Sequence, residues 1–483
     1  MGRLRQVSGL PLARLLTVVA IGSLTTSCLS ADPPALNLDV PTRYREAGKG
    51  ADVATPRLEW WRGFHSPELS RLIDDARVDN LDIAAAVARI READAQSRIA
   101  GAALLPTLDG GADASRSRNA GLTTGHVGRG SNLYSLSLNA SFELDFWGKN
   151  RAALQAAQDS GLASRYDRET VEITAIASAA TTYFDLLGAQ DRLRIARENV
   201  SNASRFLTII QQRLNAGTAT ALDLAEQQSL LAQQRAAIPP LEQEIQQDRA
   251  TLAVLVGHAP ASVTVSGGSM DRISTPRVTP GLPAELLNQR PDIRFAEATL
   301  AAANANVVNA RAQFFPSIQL TGQGGLESTA LKNLFNPAAT FYSVAASLTQ
   351  PIFEGGKLKG QFEQTKGAEA ESLANYRKAV VSAFSDVEIA LVAMKQLSRQ
   401  EALQRDVVKS ARTAYELTEQ QLREGTVDLT TVLTNQNTLF TAQNSLVLVR
   451  VSRFQAIVSL YKALGGGWDP TRDIVAIEAE DAK

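Results

Sequence analysis

The chain has 483 residues, of which 49 are basic and 50 acidic, giving a formal net charge of −1, and it contains one cysteine. A balance this even argues against nucleic acid as a partner and against a polybasic membrane patch. One cysteine excludes a disulfide framework, and the isolated His65, His126 and His258 have no metal-ligand spacing, so no metal, cofactor or catalytic centre is expected.

Residues 1–27 combine Arg3, Arg5 and Arg14 with an apolar stretch from Leu15 to Leu24, the pattern of a secretory signal peptide. Removing them takes away three bases and no acid, leaving 46 basic against 50 acidic residues. The cleavage site falls just before Cys28, which marks that residue as a candidate lipid anchor. Beyond the leader no run of 18 apolar residues occurs, so no transmembrane helix is available. Any membrane span must therefore be a closed β-barrel.

Two strand pairs fit that requirement. From Tyr134 to Asp145 the chain alternates Tyr134, Leu136, Leu138, Ala140, Phe142 and Leu144 with Ser135, Ser137, Asn139, Ser141, Glu143 and Asp145. That is a two-faced strand of membrane-spanning length. Its expected partner covers 107–118, joined through the polar loop from Gly121 to Ser131. The second pair is expected at 317–326 and 341–352, with Tyr342, Val344, Ala346 and Leu348 on one face. Four strands cannot close a barrel, because barrels begin at about 8. Several chains must pool their strands.

Helices of unusual length flank the strands. Between Lys149 and Leu214 there is no proline and only Gly161 and Gly188. Leu193, Ala196, Val200, Ala203, Leu207, Ile210 and Leu214 alternate spacings of three and four. On the return, Leu224, Leu231, Ile238, Ile245 and Leu252 recur every seven residues, interrupted by Pro239-Pro240, as do Leu433, Phe440, Val447, Phe454 and Tyr461. Sustained heptads predict coiled-coil packing. Each helical hairpin turns at a glycine, Leu214-Asn215-Ala216-Gly217-Thr218 and Leu422-Arg423-Glu424-Gly425-Thr426, where glycine supplies the positive φ that ends a helix. Asp223 and Asp428 follow, where a carboxylate favours the positive end of the returning helix.

The two halves are copies. Leu214, Gly217, Thr218, Gln228, Leu231, Ile238, Leu252 and Gly257 recur as Leu422, Gly425, Thr426, Gln436, Leu439, Leu446, Leu460 and Gly465. Leu105-Pro106-Thr107-Leu108 reappears as Phe315-Pro316-Ser317-Ile318 at nearly the same offset. Duplication of a whole structural unit is the economical reading.

The string Ala140-Ser141-Phe142-Glu143-Leu144-Asp145-Phe146-Trp147-Gly148-Lys149 resembles the strand-to-helix signature of the TolC-like outer-membrane efflux proteins, in particular their lipoprotein branch serving resistance-nodulation-division (RND) pumps. Trp60-Trp61 with Phe64, the segments at 281–300, 310–322 and 350–358, and Gly465-Gly466-Gly467-Trp468 resemble the same family. The resemblance implies a mixed α and β fold: a homotrimer with four strands per chain, twelve in one outer-membrane barrel, continuous with a periplasmic α-helical barrel of twelve long helices. It implies the following plan: signal peptide 1–27, lipidated equatorial segment 28–66, first repeat 67–257 with its long hairpin at 149–256, equatorial segment 258–281, second repeat 282–465 with its hairpin at 355–464, and tail 466–483.

The implied function is a passive exit duct for small molecules, lipid-anchored in the outer membrane and fed by a periplasmic adaptor and an inner-membrane RND pump. In this family closure occurs at the hairpin tips, so Arg213, Asp223, Arg423, Glu424 and Asp428 become candidate gate residues. Leu214, Gly217, Thr218, Leu422, Gly425 and Thr426 become the candidate adaptor-docking tips. A type I secretion duct would share the architecture, although those relatives generally lack the lipidated cysteine. A periplasmic coiled-coil scaffold would need no barrel.

Overall fold

The structure is a computed structural model describing residues 40–46, 58–118, 130–276, 278 and 281–469. The leader, Cys28, most of the loop from Gly121 to Ser131 and the tail beyond 469 lie outside the described residues. Two compact units form. One gathers Ile90–Ser164 with Ala296–Tyr376, and the other gathers Leu38–Arg89, Arg165–Phe295 and Arg377–Lys483. Each draws matching pieces from both halves of the sequence.

The first unit is built on a four-stranded antiparallel sheet in the order β1 (Thr107–Ser117), β2 (Ser131–Leu144), β3 (Ser317–Ser328), β4 (Thr340–Thr349). The β2–β3 pairing joins the two halves, with Leu138 opposite Gly324 and Ser141 opposite Thr321. Register places Leu108, Ala140, Gly322 and Val344 in one row across the sheet, and Asp109, Asn139, Gln323 and Ser343 in the adjacent row on the other face. One face is therefore apolar and the other polar. The apolar face has no cover: Tyr342 is 85% and Val344 84% exposed, with Leu108, Leu136, Leu138 and Leu348 also exposed. In water such a patch would be a liability, whereas hydrocarbon suits it.

Several boundaries differ from expectation: β2 begins at Ser131 rather than 134, β3 runs on to Ser328 rather than 326, and two further shifts have a local cause. β4 ends at Thr349 rather than at 352, because Pro351 lacks the amide a ladder needs. The second long helix starts at Lys357 rather than 355, because Gly355 and Gly356 adopt φ of 60° and 87° to turn the chain.

In the second unit α1 (Pro67–Asp79) precedes α2 (Leu81–Ala102), which runs on into the first unit. The long helices α3 (Lys149–Asn215) and α8 (Lys357–Arg423) have 67 residues each, about 100 Å at 1.5 Å per residue. The first hairpin returns as α4 (Ala221–Ala236) and α5 (Ile238–Leu255), and the second as one helix, α9 (Leu429–Ala463). The break at Ala237 has a local cause: Pro239 and Pro240 open α5 with no amide to donate. Between the hairpins lie α6 (Pro283–Gln289) and α7 (Pro291–Ala312).

The predicted seams face inward with one shift. Leu193, Ala196, Ala203 and Ile210 of α3 are buried, and so are Asn199 and Phe206, whereas Val200 and Leu207 are half-buried. At the Val200 and Leu207 positions the buried stripe thus lies one residue earlier than the heptads place it, while Leu193, Ala196, Ala203 and Ile210 keep theirs. Phe440, Val447, Phe454 and Tyr461 of α9 are all buried. The largest core forms where the helices meet Trp60, Trp61 and Phe64: Trp60 stacks on Tyr461 at 4.9 Å, and Phe184 on Phe454 at 5.0 Å.

One buried group works against this packing. Gln436 of α9 is 1% exposed, and neither its Nε2 nor its Oε1 finds a hydrogen-bond partner among the described residues. Gln436→Leu, which removes both orphaned atoms, is expected to stabilise the fold by about 1–3 kcal/mol. It should register as a raised unfolding temperature in detergent; a lowered one would show that the amide is partnered.

Candidate functional site

Three places carry chemistry suited to a duct: the strand-to-helix turn, the joints where each repeat closes, and the hairpin tips. At the turn, Asp145 accepts hydrogen bonds from the amides of Asn150 and Arg151, both at 2.9 Å, and so satisfies the first turn of α3. Gly148 sits at φ 77°, Trp147 stacks on Phe315 at 4.7 Å, and Trp147 Nε1 donates to the Pro316 carbonyl at 2.9 Å. The Phe146-Trp147-Gly148-Lys149 signature thereby locks the first half's turn onto the proline that opens the second half's strand pair.

The repeat joints are equivalent in backbone and different in side chain. Asn80 caps α2 by accepting from the amides of Asp82 and Ile83, and it donates from Nδ2 to the Leu255 carbonyl at 2.8 Å. In the second half Arg290 takes this place. It donates to the Ala463 carbonyl at 3.1 Å and to the carboxylates of Asp292 at 2.6 Å and Asp386 at 3.1 Å. Burial works against the Arg290 charge, yet these acidic partners hold its pKa above the usual arginine value. Beside each joint a glycine with φ near 75°, Gly257 or Gly465, lets the helix end against the carbonyl of Asp79 or Gln289. The segment between the repeats is clamped as well: Glu68 accepts from the amides of Ser266 and Gly267, Gln190 from that of Gly268, and Asp191 from that of Met270.

At the first tip Gly217 (φ 74°) donates to Leu214, while the amide and hydroxyl of Thr218 both donate to the Arg213 carbonyl. At the second, Gly425 (φ 74°) donates to Leu422, and the Thr426 amide and hydroxyl donate to Gln421. These are matching helix C-caps. The returning helices are capped by exchanged residues. In the first hairpin Thr220 is the N-cap and accepts from the Asp223 amide, while the Asp223 carboxylate accepts from the Thr220 amide at 2.7 Å. In the second Asp428 is the N-cap and accepts from the amide and hydroxyl of Thr431, at 2.8 and 2.6 Å. The Thr431 hydroxyl and then its amide hold the Asp428 carboxyl below the usual aspartate range.

Asp223 and Asp428 are therefore not equivalent positions, although both follow a glycine turn: the offset of the repeat pairs Thr220 with Asp428 and Asp223 with Thr431. Sequence reasoning missed the two threonines, and T-x-x-D against D-x-x-T was the signal that could have found them. Arg423 pairs with Glu419 at 2.6 Å along α8, and Glu424 accepts from Gln420 at 2.9 Å. Leu422, expected on the docking surface, is only 8% exposed. It packs with Phe206, Ile210, Leu429 and Val432, a cluster that joins the two hairpins near their tips. Thr430 adds a hydrogen bond to Glu226 across the same boundary. Gly217, Thr218, Gly425 and Thr426 are exposed and Leu214 is half-buried.

A two-faced sheet, paired long hairpins and a joint repeated in both halves define an outer-membrane channel of the TolC-like type. The profile of the outer membrane efflux protein family matches twice, over residues 72–258 and 282–466, so the chain belongs to that family. It is 38% identical over 470 residues to the pyoverdine export outer membrane protein OpmQ of Pseudomonas putida, covering 95% of this chain and 100% of the relative. It is 33% identical over 423 residues to the toluene efflux pump outer membrane protein TtgC of Pseudomonas putida, covering 87% of each. Among solved structures, the Campylobacter jejuni CmeC outer membrane channel superposes with a TM-score of 0.86 at 25% identity, covering 93% of this chain and 98% of that one. The open Neisseria gonorrhoeae MtrE channel superposes with a TM-score of 0.80 at 28% identity, covering 91% and 97%. The protein is an outer-membrane channel component of an efflux system, in a family of transport ducts.

Proposed function

We propose that three copies of this chain form one continuous exit duct for small organic solutes, with the β4 edge of each chain pairing to the β1 edge of the next. The observation that carries this reading is the four-stranded sheet with an apolar face, a polar face and two unpaired edges. Open edges are not tolerated in lipid, and twelve strands suffice to enclose a lumen. The polar face then lines the pore and the apolar face meets the hydrocarbon.

Cys28 is acylated in this reading and tethers the N-terminus to the outer membrane, and metabolic labelling with palmitate tests that step. A periplasmic adaptor docks at the tips around Gly217-Thr218 and Gly425-Thr426, with Leu214, and an inner-membrane RND pump supplies the driving force. Because Leu422 is buried, it shapes the docking surface through its backbone. Relatives are named for exporting pyoverdine and for efflux of toluene, so solute selection is assigned to the pump. A strain lacking this protein should accumulate pump substrates and recover export when the gene is restored. Unchanged export in the deletion strain would overturn the role.

The tip charges Arg213, Asp223, Arg423, Glu424 and Asp428 restrain the periplasmic entrance. An exposed ion pair contributes only about 0–1 kcal/mol, weak enough for an adaptor to undo. Asp428→Asn keeps a cap, since asparagine also accepts the Thr431 amide, yet it removes the charge. Asp428→Asn combined with Arg423→Gln is expected to raise single-channel conductance in planar bilayers. Unchanged conductance would discard the gate assignment.

A further inference from the structure

We propose that Asp185, Glu244 and Asp248 form a proton-operated latch that tightens α5 against α3 and α9 as the pH falls. The three carboxylates come from two helices of the first hairpin, and a third helix, from the second hairpin, closes the cluster. Asp185 on α3 accepts a hydrogen bond from Gln455 of α9 at 2.7 Å. Arg192 on α3 donates to Glu244 of α5 at 3.0 Å and to Asn444 of α9 at 2.9 Å, so one guanidinium bridges all three helices.

The remaining groups leave the charge unbalanced. Arg450 and Arg453 of α9 are committed elsewhere, to Asp271 and Glu401. Arg249, adjacent on α5, leaves its buried Nε without a hydrogen bond among the described residues, and Asp248 does the same with its buried Oδ2. Asp248 thus faces Asp185 and Glu244, the latter already paired with Arg192, and among the described residues it has no ion pair of its own. Burial, then Asp185 and then Glu244, push its carboxyl up to about 6. Burial, followed by Glu244, raises Asp185 as well, against the Gln455 hydrogen bond.

The sign follows from linkage. A carboxyl whose pKa is raised in the packed state binds its proton more tightly there than in a loosened, hydrated state, where it returns to the ordinary aspartate value. Acid therefore favours packing, and the gain is lost as the pH rises through 6. For one site titrating near 6 in the packed state and near 4 in the loosened one, the loosened population falls about ten-fold between pH 7.5 and pH 5. The cluster lies on the part of the first return helix beyond the Ala237 break, where Arg192 ties α5 to the unbroken return helix of the other hairpin. Loosening there lets the first hairpin move.

Hydrogen exchange of the α5 amides in the full-length protein, corrected for intrinsic rates, reads the latch without any channel assay, so it stands or falls apart from the duct reading. Protection is expected to rise about ten-fold from pH 7.5 to 5 in the natural protein. In Asp248→Asn it is expected to be high and flat. Should that variant fail to assemble, Asp185→Asn is expected to move the midpoint below 6. Flat protection in the natural protein, or an unmoved midpoint in whichever variant assembles, would overturn the latch.

Discussion

Gly465→Ala is expected to prevent accumulation of the folded protein in the outer membrane, and Gly257→Ala to do the same, whereas Gly217→Ala and Gly425→Ala are expected to cost about 1–2 kcal/mol each. All four glycines end a helix at φ of 74° or 75°. The backbone conformation alone would predict equal penalties. The surroundings differ: a Cβ at either tip meets nothing within 4 Å, while at Gly465 it would lie 1.9 Å from the Gln289 carbonyl oxygen and at Gly257 1.9 Å from that of Asp79. These oxygens are fixed at the ends of α6 and α1, so relief requires moving the joint itself. A cost above about 4–5 kcal/mol follows, comparable with the whole stability of a marginally stable domain. Outer-membrane fractionation of the four variants separates the pairs; equal behaviour would show that the joints yield.

Glu401→Ala is expected to destabilise the second hairpin by about 3–5 kcal/mol. The Glu401 side chain is 5% exposed and accepts from Arg405 at 2.5 Å, Arg450 at 3.1 Å and Arg453 at 2.6 Å, which ties α8 to α9. Burial alone would raise its carboxyl, but Arg453 and Arg405 hold it below the usual glutamate range. Its charge is therefore retained well into acid, and the network's contribution is lost only as the pH falls through that lowered value. Removing the carboxylate leaves Arg450 and Arg453 largely buried without their common partner. Thermal unfolding in detergent measures the loss. A change below about 1 kcal/mol would mean that water or Asp271 replaces Glu401 at little cost.

Much of the architecture was legible because it rests on periodicity. The alternation from Tyr134 to Leu144 has one two-faced solution, and the α9 heptad Phe440, Val447, Phe454 and Tyr461 falls on a buried side of the helix. The shift of the α3 seam toward Asn199 and Phe206 was not legible, because α3 packs against helices of both hairpins and the second contact turns its stripe. The tips were half legible. Gly217 and Gly425 announce a turn by their chemistry, but the burial of Leu422 depends on how the second hairpin lies on the first, which no local pattern encodes. Asn80 and Arg290 differ in size and charge and share only an N–H donor, so their common role at the joint appears only when the Leu255 and Ala463 carbonyls they bind are seen to be equivalent. The latch was invisible for the same reason: Asp185, Glu244 and Asp248 are ordinary acids on helices rich in Gln and Glu until three helices bring them together.

In the proposed duct, separate chains complete one barrel through their open sheet edges. Disulfide scanning tests it most directly: Ala112→Cys on β1 paired in turn with Val344→Cys, Ala345→Cys and Ala346→Cys on β4, in the background Cys28→Ser. In at least one register, oxidation is expected to yield covalent dimers and a closed covalent trimer on a denaturing gel. Only monomers in every register, from protein recovered in the outer membrane, would contradict the account.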